Sequence, residues 1–286
     1  MRSRLRVEAV AGRVPRWRSE GAFTVRLTGP DQLHIVSSAA GPLGGDEVAV
    51  EIQVGEGASL TVRGVAASVA LPGAEAHRSS WSWDLDIAQG GRLLLDPQPV
   101  IVAGRAAHHG ATVLRLAAGA SAVVVEQAQI GRTGERNGTW RGSLSVDLDG
   151  EELLRHSVGL GEGSATWDEF FAPAALESVF RYPDDRPAWV SVGEAVRVAP
   201  RAQVRGAVGE GSSGGGGPER AVGHGPDDRP AWVSVGEAVR VAPRAQVRGA
   251  AGEGLPGGAS GVWEARMPLA GGGSLTTRLS SRLLDA

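Results

Sequence analysis

Short apolar runs alternate with polar residues along most of this 286-residue chain, and Gly, Pro or Asp usually closes each one. Such a pattern restricts the chain to many short strands joined by tight turns, an all-β domain. The runs lie at 23–27, 32–36, 48–54, 60–65, 81–87, 92–95, 100–102, 112–116, 122–127, 142–148 and 153–158. Three of the turns share one chemistry: Gly55-Glu56-Gly57-Ala58, Ala88-Gln89-Gly90-Gly91 and Ala117-Ala118-Gly119-Ala120. Each joins two strand-like segments, which predicts hairpins or stacked β-coils. The segment at 168–179, DEFFAPAALESV, reads as a short helix that Pro173 interrupts early.

Composition excludes whole classes of chemistry. With no Cys there is no thiol nucleophile, disulfide or Cys-ligated zinc or iron–sulfur site. All 29 basic residues are Arg, so a P-loop lysine and a Schiff-base lysine are also excluded. Arg without Lys fits a GC-rich, actinobacterial genome better than a physical demand. A net charge of −3 without long basic runs predicts no nucleic-acid partner. No apolar stretch reaches the ~20 residues of a membrane span. The first residues, MRSRLRVEAVAGRVPRW, lack an apolar core of signal-peptide length, so the expectation is a cytoplasmic protein with no membrane partner.

A near-exact repeat marks the C-terminal third. Residues 183–211 recur at 226–254 with the single change of Val208 to Ala251, a period of 43 residues. A solenoid carries three or more diverged copies, whereas two nearly identical ones indicate a recent tandem duplication or an assembly error. Gly211-Ser212-Ser213-Gly214-Gly215-Gly216-Gly217-Pro218 between them reads as a flexible linker. One packed core has room for one strand of a given shape at one place. The expectation is therefore that one copy, the first, occupies the native slot and that most of 208–258 is mobile. The chain divides into a β-rich core at 1–182, the duplicated region at 183–254 and a segment at 255–286 that completes the core.

Several residue groups invite a chemical reading. Gly44-Gly45-Asp46 forms a sharp turn with a carboxylate at its corner, and a turn aspartate commonly accepts backbone hydrogen bonds. Val124 and Glu126 share one face of an alternating strand, so Glu126 is expected to line a wet interior or meet a partner. His108 and His109 are adjacent, and neighbours on a strand point to opposite faces, which hinders their gripping one ion together. Gly211–Gly215 fits G-x-S-x-G in letters alone, since a nucleophile elbow needs a strand before it and a helix after it. Gly159-Leu160-Gly161-Glu162-Gly163 is not a complete dinucleotide fingerprint.

The order and spacing of four segments resemble the urease accessory protein UreD (UreH) family. They are Ala39-Ala40-Gly41-Pro42 with the Gly-Gly-Asp turn, in the style of actinobacterial members; 93–102 (LLLDPQPVIV); 123–135 (VVVEQAQIGRTGE); and 148–160 (LDGEELLRHSVGL). The resemblance spans roughly 20–180, with a further stretch near 266–271. It departs at the repeat, and at His156, where some members carry a glutamate.

The resemblance implies a mainly β fold, a β-helix-like stack of short strands with a small helical element. It implies a scaffold for urease maturation with no enzyme activity of its own. Its partners would be UreF, the GTPase UreG and the urease apoprotein. No cofactor would be bound permanently; nickel would be in transit along a water-filled interior path. Asp46, Glu126 and Glu135 are the candidate carboxylates of that path, and Gly44 and Gly45 its structural turn. Weak, successive oxygen sites permit transit where one tight cage would trap the ion. Two rivals belong to other classes: a β-rich protein-binding module with no metal role, and a hydrolase using paired carboxylates, for which no compelling pair stands out.

Overall fold

A computed structural model describes residues 1–135, 138–169, 172–186, 189–192, 233–234, 262–269 and 271–283. The linker at 211–218 and most of the duplicated region lie outside the described residues.

Two twisted sheets face each other. The first holds β1 (Arg2–Ala9), β2 (Arg16–Glu20), β5 (Glu47–Val54), β8 (Arg78–Ile87), β11 (Ala107–Leu116), β13 (Thr139–Leu148), β14 (Glu151–Leu160) and β17 (Val233–Ser234). The second holds β3 (Phe23–Gly29), β4 (Gln32–Ser37), β6 (Ser59–Gly64), β7 (Ser68–Ala70), β9 (Arg92–Asp96), β10 (Val100–Val102), β12 (Ser121–Ile130), β15 (Ala175–Tyr182), β16 (Trp189–Val192), β18 (Trp263–Pro268) and β19 (Ser274–Ser280). Alternation dictates which side chains enter the space between them. In β1, Ser3, Leu5, Val7 and Ala9 are buried while Arg2, Arg4, Arg6 and Glu8 face solvent.

The expected hairpins at the three glycine turns do not form; the alternative of stacked coils does. β5, β8, β11 and β13 pair in parallel in one sheet, and β4, β6, β9 and β12 pair in parallel in the other. Each turn therefore carries the chain from one sheet to the next instead of folding a strand back on its neighbour. Gly57, Gly90 and Gly119 hold left-handed φ of 62°, 65° and 72°, which a side chain resists. The turns stack on one another, and the ladder runs through them: Gly57 N–H donates to Gln89 O at 3.0 Å and Arg92 N–H to Ala58 O at 2.9 Å.

The helix differs from expectation as well. α1 spans Ala165–Glu169, and the sequence after Pro173 enters β15. Leu176, Ser178 and Phe180 alternate inward there, and pairing with β12 and β19 on both sides outweighs local helix preference. β18 and β19 extend the second sheet from β15. The first copy's strand, β16, pairs with β18 in antiparallel register, Trp189 opposite Arg266. The second copy is not confined to one shared slot: its β17 lies parallel to β14 at the edge of the other sheet, Val233 beside His156.

Two apolar clusters fill the interior. One, built on Leu5, Ile52, Leu85, Leu114, Leu60 and Phe180, lies towards the stacked turns. The other, built on Val102, Ala128, Trp140, Leu160 and Leu176, lies at the opposite end.

Candidate functional site

The Gly-Gly-Asp turn closes on itself. Asp46 N–H donates to Leu43 O at 2.9 Å, and Leu43 N–H donates to Asp46 Oδ2 at 2.8 Å. Gly45 has φ of 92°, and a Cβ on Gly44 would overlap the Ala76 carbonyl, so both positions demand glycine. The Met1 ammonium donates to Asp46 Oδ1. Burial pushes the Asp46 carboxyl up, but the hydrogen bonds from Met1 and Leu43 outweigh it and hold the group below its ordinary value.

From this turn a polar row crosses the inner face of the first sheet. Ser80 N–H donates to Asp46 O, which sets Asp46 beside Ser79; Ser79 pairs with His108, and His108 with Trp140. At roughly 4.8 Å per strand, Asp46 and His108 are about 10 Å apart. Ser79 and His108 are each 2% exposed, and Ser79 Oγ lies 2.9 Å from His108 Nδ1. Burial, then the neighbouring His109, pushes the His108 ring down to about 4, so it is neutral at neutral pH.

Glu126 faces this row from β12 of the other sheet. Its inward neighbours on the strand are Val124 and Ala128, as the alternation requires. Its carboxylate reaches across to a notch on the first sheet, where Gly110 of β11 and Gly142 of β13 stand side by side. A Cβ on Gly110 would lie 3.2 Å from Glu126 Oε1, and one on Gly142 2.9 Å from it. Among the described residues nothing gives Glu126 a hydrogen bond or an ion pair. Burial alone drives its carboxyl up to about 7.

Three clefts with lining residues in common lie between the two carboxylates. The first, of about 10 Å³, touches Asp46, Gly41 and Phe23. The second, of about 270 Å³, shares Phe23 and Gly41 with it and runs along Val65–Ser68. The third, of about 50 Å³, shares Trp81, Trp83, Ser68 and Pro97 with the second and is lined by His108 and Glu126. Sheet geometry makes this room. The second sheet breaks between β6 and β7 and again between β9 and β10, where Pro97 and Pro99 lack ladder donors and Gln98 takes φ of 66°. Phe23, Trp81 and Trp83 form an aromatic wall, with ring centroids 4.9 and 5.5 Å apart. Trp81 Nε1 is buried there with no hydrogen-bond partner among the described residues.

Other expected residues lie elsewhere. Glu135 sits on the turn between β12 and β13, where it accepts from Arg132 Nε at 2.9 Å and from Gly104 N–H at 3.1 Å. Arg132, with help from Gly104, pulls its carboxyl down to about 2; it lines none of the three cavities. His109 points away from His108, and burial, then Arg78 and Arg141, lowers its pKa. His156 is buried on the inner face of β14, outside the three linings. Sequence reasoning missed Ser79, Gly110 and Gly142. A glycine at an inward strand position signals close approach from the facing sheet, and Gly110 and Gly142 carry that signal.

The chain is similar in sequence to known proteins. Over 118 residues the chain is 43% identical to the urease accessory protein UreD of Frankia alni, covering 41% of this chain and 40% of that protein. It is 39% identical over 134 residues to urease accessory protein UreD 1 of Saccharopolyspora erythraea, covering 47% and 52%. With the UreD of Streptomyces avermitilis it shares 33% identity over 168 residues, covering 57% and 66%. The chain thus spans about half the length of the curated relatives it matches first. The pattern of the family described as UreD urease accessory protein matches residues 2–180, a stretch that contains the Asp46 turn, both glycines of the notch and Glu126, and on that match the chain belongs to the UreD family.

Proposed function

We propose that this protein is a non-catalytic scaffold of urease maturation that helps pass nickel to the urease apoprotein, in a cytoplasmic complex with UreF and the GTPase UreG. The single observation that carries the nickel reading is the line of adjoining cavities with Asp46 at one end and Glu126 at the other. A lone carboxylate partly withdrawn from water is costly unless a cation or a donor meets it. A borderline divalent ion, delivered with part of its water shell, would meet that need for as long as it stayed. Asp46, at a rigid turn beside the smallest cavity, suits entry or exit. For Glu135, the path role rests on the family resemblance alone.

The test is urease activation with Asp46→Ala. The variant loses the turn hydrogen bond to Leu43, and a stability cost of about 1 kcal/mol is expected from that alone. Nickel content per urease active site should fall well beyond what that loss of folded protein explains, while partner binding persists. Full nickel loading with the variant would remove Asp46 from the path.

A further inference from the structure

Carboxylates alone do not select nickel. Mg²⁺ and Ca²⁺ take oxygen ligands readily, whereas an imidazole nitrogen favours the borderline transition ions. Among the described residues, His108 is the one imidazole on the linings of the three cavities. Its ring is anchored by the buried Ser79 hydroxyl at 2.9 Å from Nδ1. In the tautomer where Nδ1–H donates to Ser79 Oγ, the Nε2 lone pair is left for a ligand. Glu126 lines the same cavity from the opposite sheet, half-buried and without a partner among the described residues, above a notch cleared by Gly110 and Gly142. A volume of about 50 Å³ exceeds the roughly 10–15 Å³ that a single water needs. Two protein ligands, with water in the remaining positions, make a weak site from which a divalent ion can leave.

We propose that His108 and Glu126 form a mixed nitrogen–oxygen way-station for a borderline divalent ion, and that His108 sets its preference over Mg²⁺. The inference rests on the nickel-transfer reading for its biological sense, but the site is testable by itself.

The experiment uses the purified full chain and Ni²⁺. Binding is measured by equilibrium dialysis with and without excess Mg²⁺, and the nickel ligands are read by X-ray absorption. The variants are His108→Gln, Glu126→Gln and Ser79→Ala, each checked for an unchanged circular-dichroism spectrum. Wild type should bind Ni²⁺ with an imidazole signature that survives Mg²⁺. His108→Gln should lose that signature and at least tenfold in preference for Ni²⁺ over Mg²⁺. Ser79→Ala should keep the signature and lose affinity by about 10-fold or more, the usual effect of removing a group that orients a ligand. Absence of Ni²⁺ binding in wild type would overturn the site, with no variant needed. An unchanged signature and preference in His108→Gln would overturn it equally. Nickel content of urease separates the two readings. If Glu126→Gln abolishes loading while His108→Gln keeps its preference, the way-station fails and transfer stands. If wild type shows the His108 signature yet Glu126→Gln loads urease fully, the site stands and the transfer role of Glu126 fails.

Discussion

Glu126→Gln should change how stability depends on pH, and the size of the change follows from where the carboxyl sits. A free glutamate titrates near 4.5, and burial raises Glu126 to about 7. At about 1.4 kcal/mol per pH unit, that gap corresponds to about 3 kcal/mol. The sign is fixed by which state holds its proton longer. Below about pH 4.5 the carboxyl is protonated in both folded and unfolded chains, and no penalty exists. As pH rises towards 7 the unfolded chain ionises first, so the folded state loses stability across that window. Above about 7 the full penalty is present and constant. Glutamine cannot ionise, so the variant escapes the loss. Urea unfolding at a series of pH values from 4.5 to 8 should show the variant gaining on wild type by up to about 3 kcal/mol. The amide adds a fixed offset of its own, but the pH-dependent part belongs to the carboxylate. Parallel pH profiles, or a variant that loses ground as pH rises, would refute the picture of a half-buried Glu126 with no ion pair among the described residues.

Other perturbations test neighbouring parts of the structure. Gly142→Ala would place a Cβ into the Trp140 ring and 2.9 Å from Glu126 Oε1. It should cost about 1–3 kcal/mol, read as a drop of the melting temperature; an unchanged melt would mean that the notch is not tight. Asp184 is buried between Arg266 and Ser274, with Arg186 first among the groups that hold its carboxyl well below the usual range. Asp184→Ala should therefore cost about 3–5 kcal/mol near neutral pH, with the difference from wild type shrinking as acid protonates Asp184. The identical Asp227→Ala in the second copy should cost nothing measurable in the same melt; equal losses would show that both copies are structural. Deleting residues 212–254 removes one full period, including β17, whose described pairing is limited to His156 and Ser157. A cooperative melt should survive the deletion, and its loss would overturn the reading of a spare duplicate.

Much of the strand content was legible in the sequence because alternation is local: period two states which face each side chain takes. That is why Val124 and Glu126 fall on one inner face and why His108 and His109 part company. The Gly44-Gly45-Asp46 turn was legible for the same reason, since backbone angles open only to glycine are a property of two residues. The helix was misplaced because Leu176 to Val179 satisfies both periods over so short a span, and only pairing with β12 and β19 decides between them.

What the sequence by itself determined was most of the strands between 23 and 158, many of their inward residues, the Gly44-Gly45-Asp46 turn and the family. What only the tertiary structure decided was which inward residues meet. Ser79 and His108 are 29 positions apart, and parallel stacking of successive coils puts them in one row. Glu126 reaches the notch of Gly110 and Gly142 because its strand belongs to the opposite sheet. A two-residue period carries no information about whether a glycine turn folds a strand back beside its neighbour or sends it across to the facing sheet. That choice depends on burying both sheet faces at once, which is a property of the whole stack of coils and of no single segment.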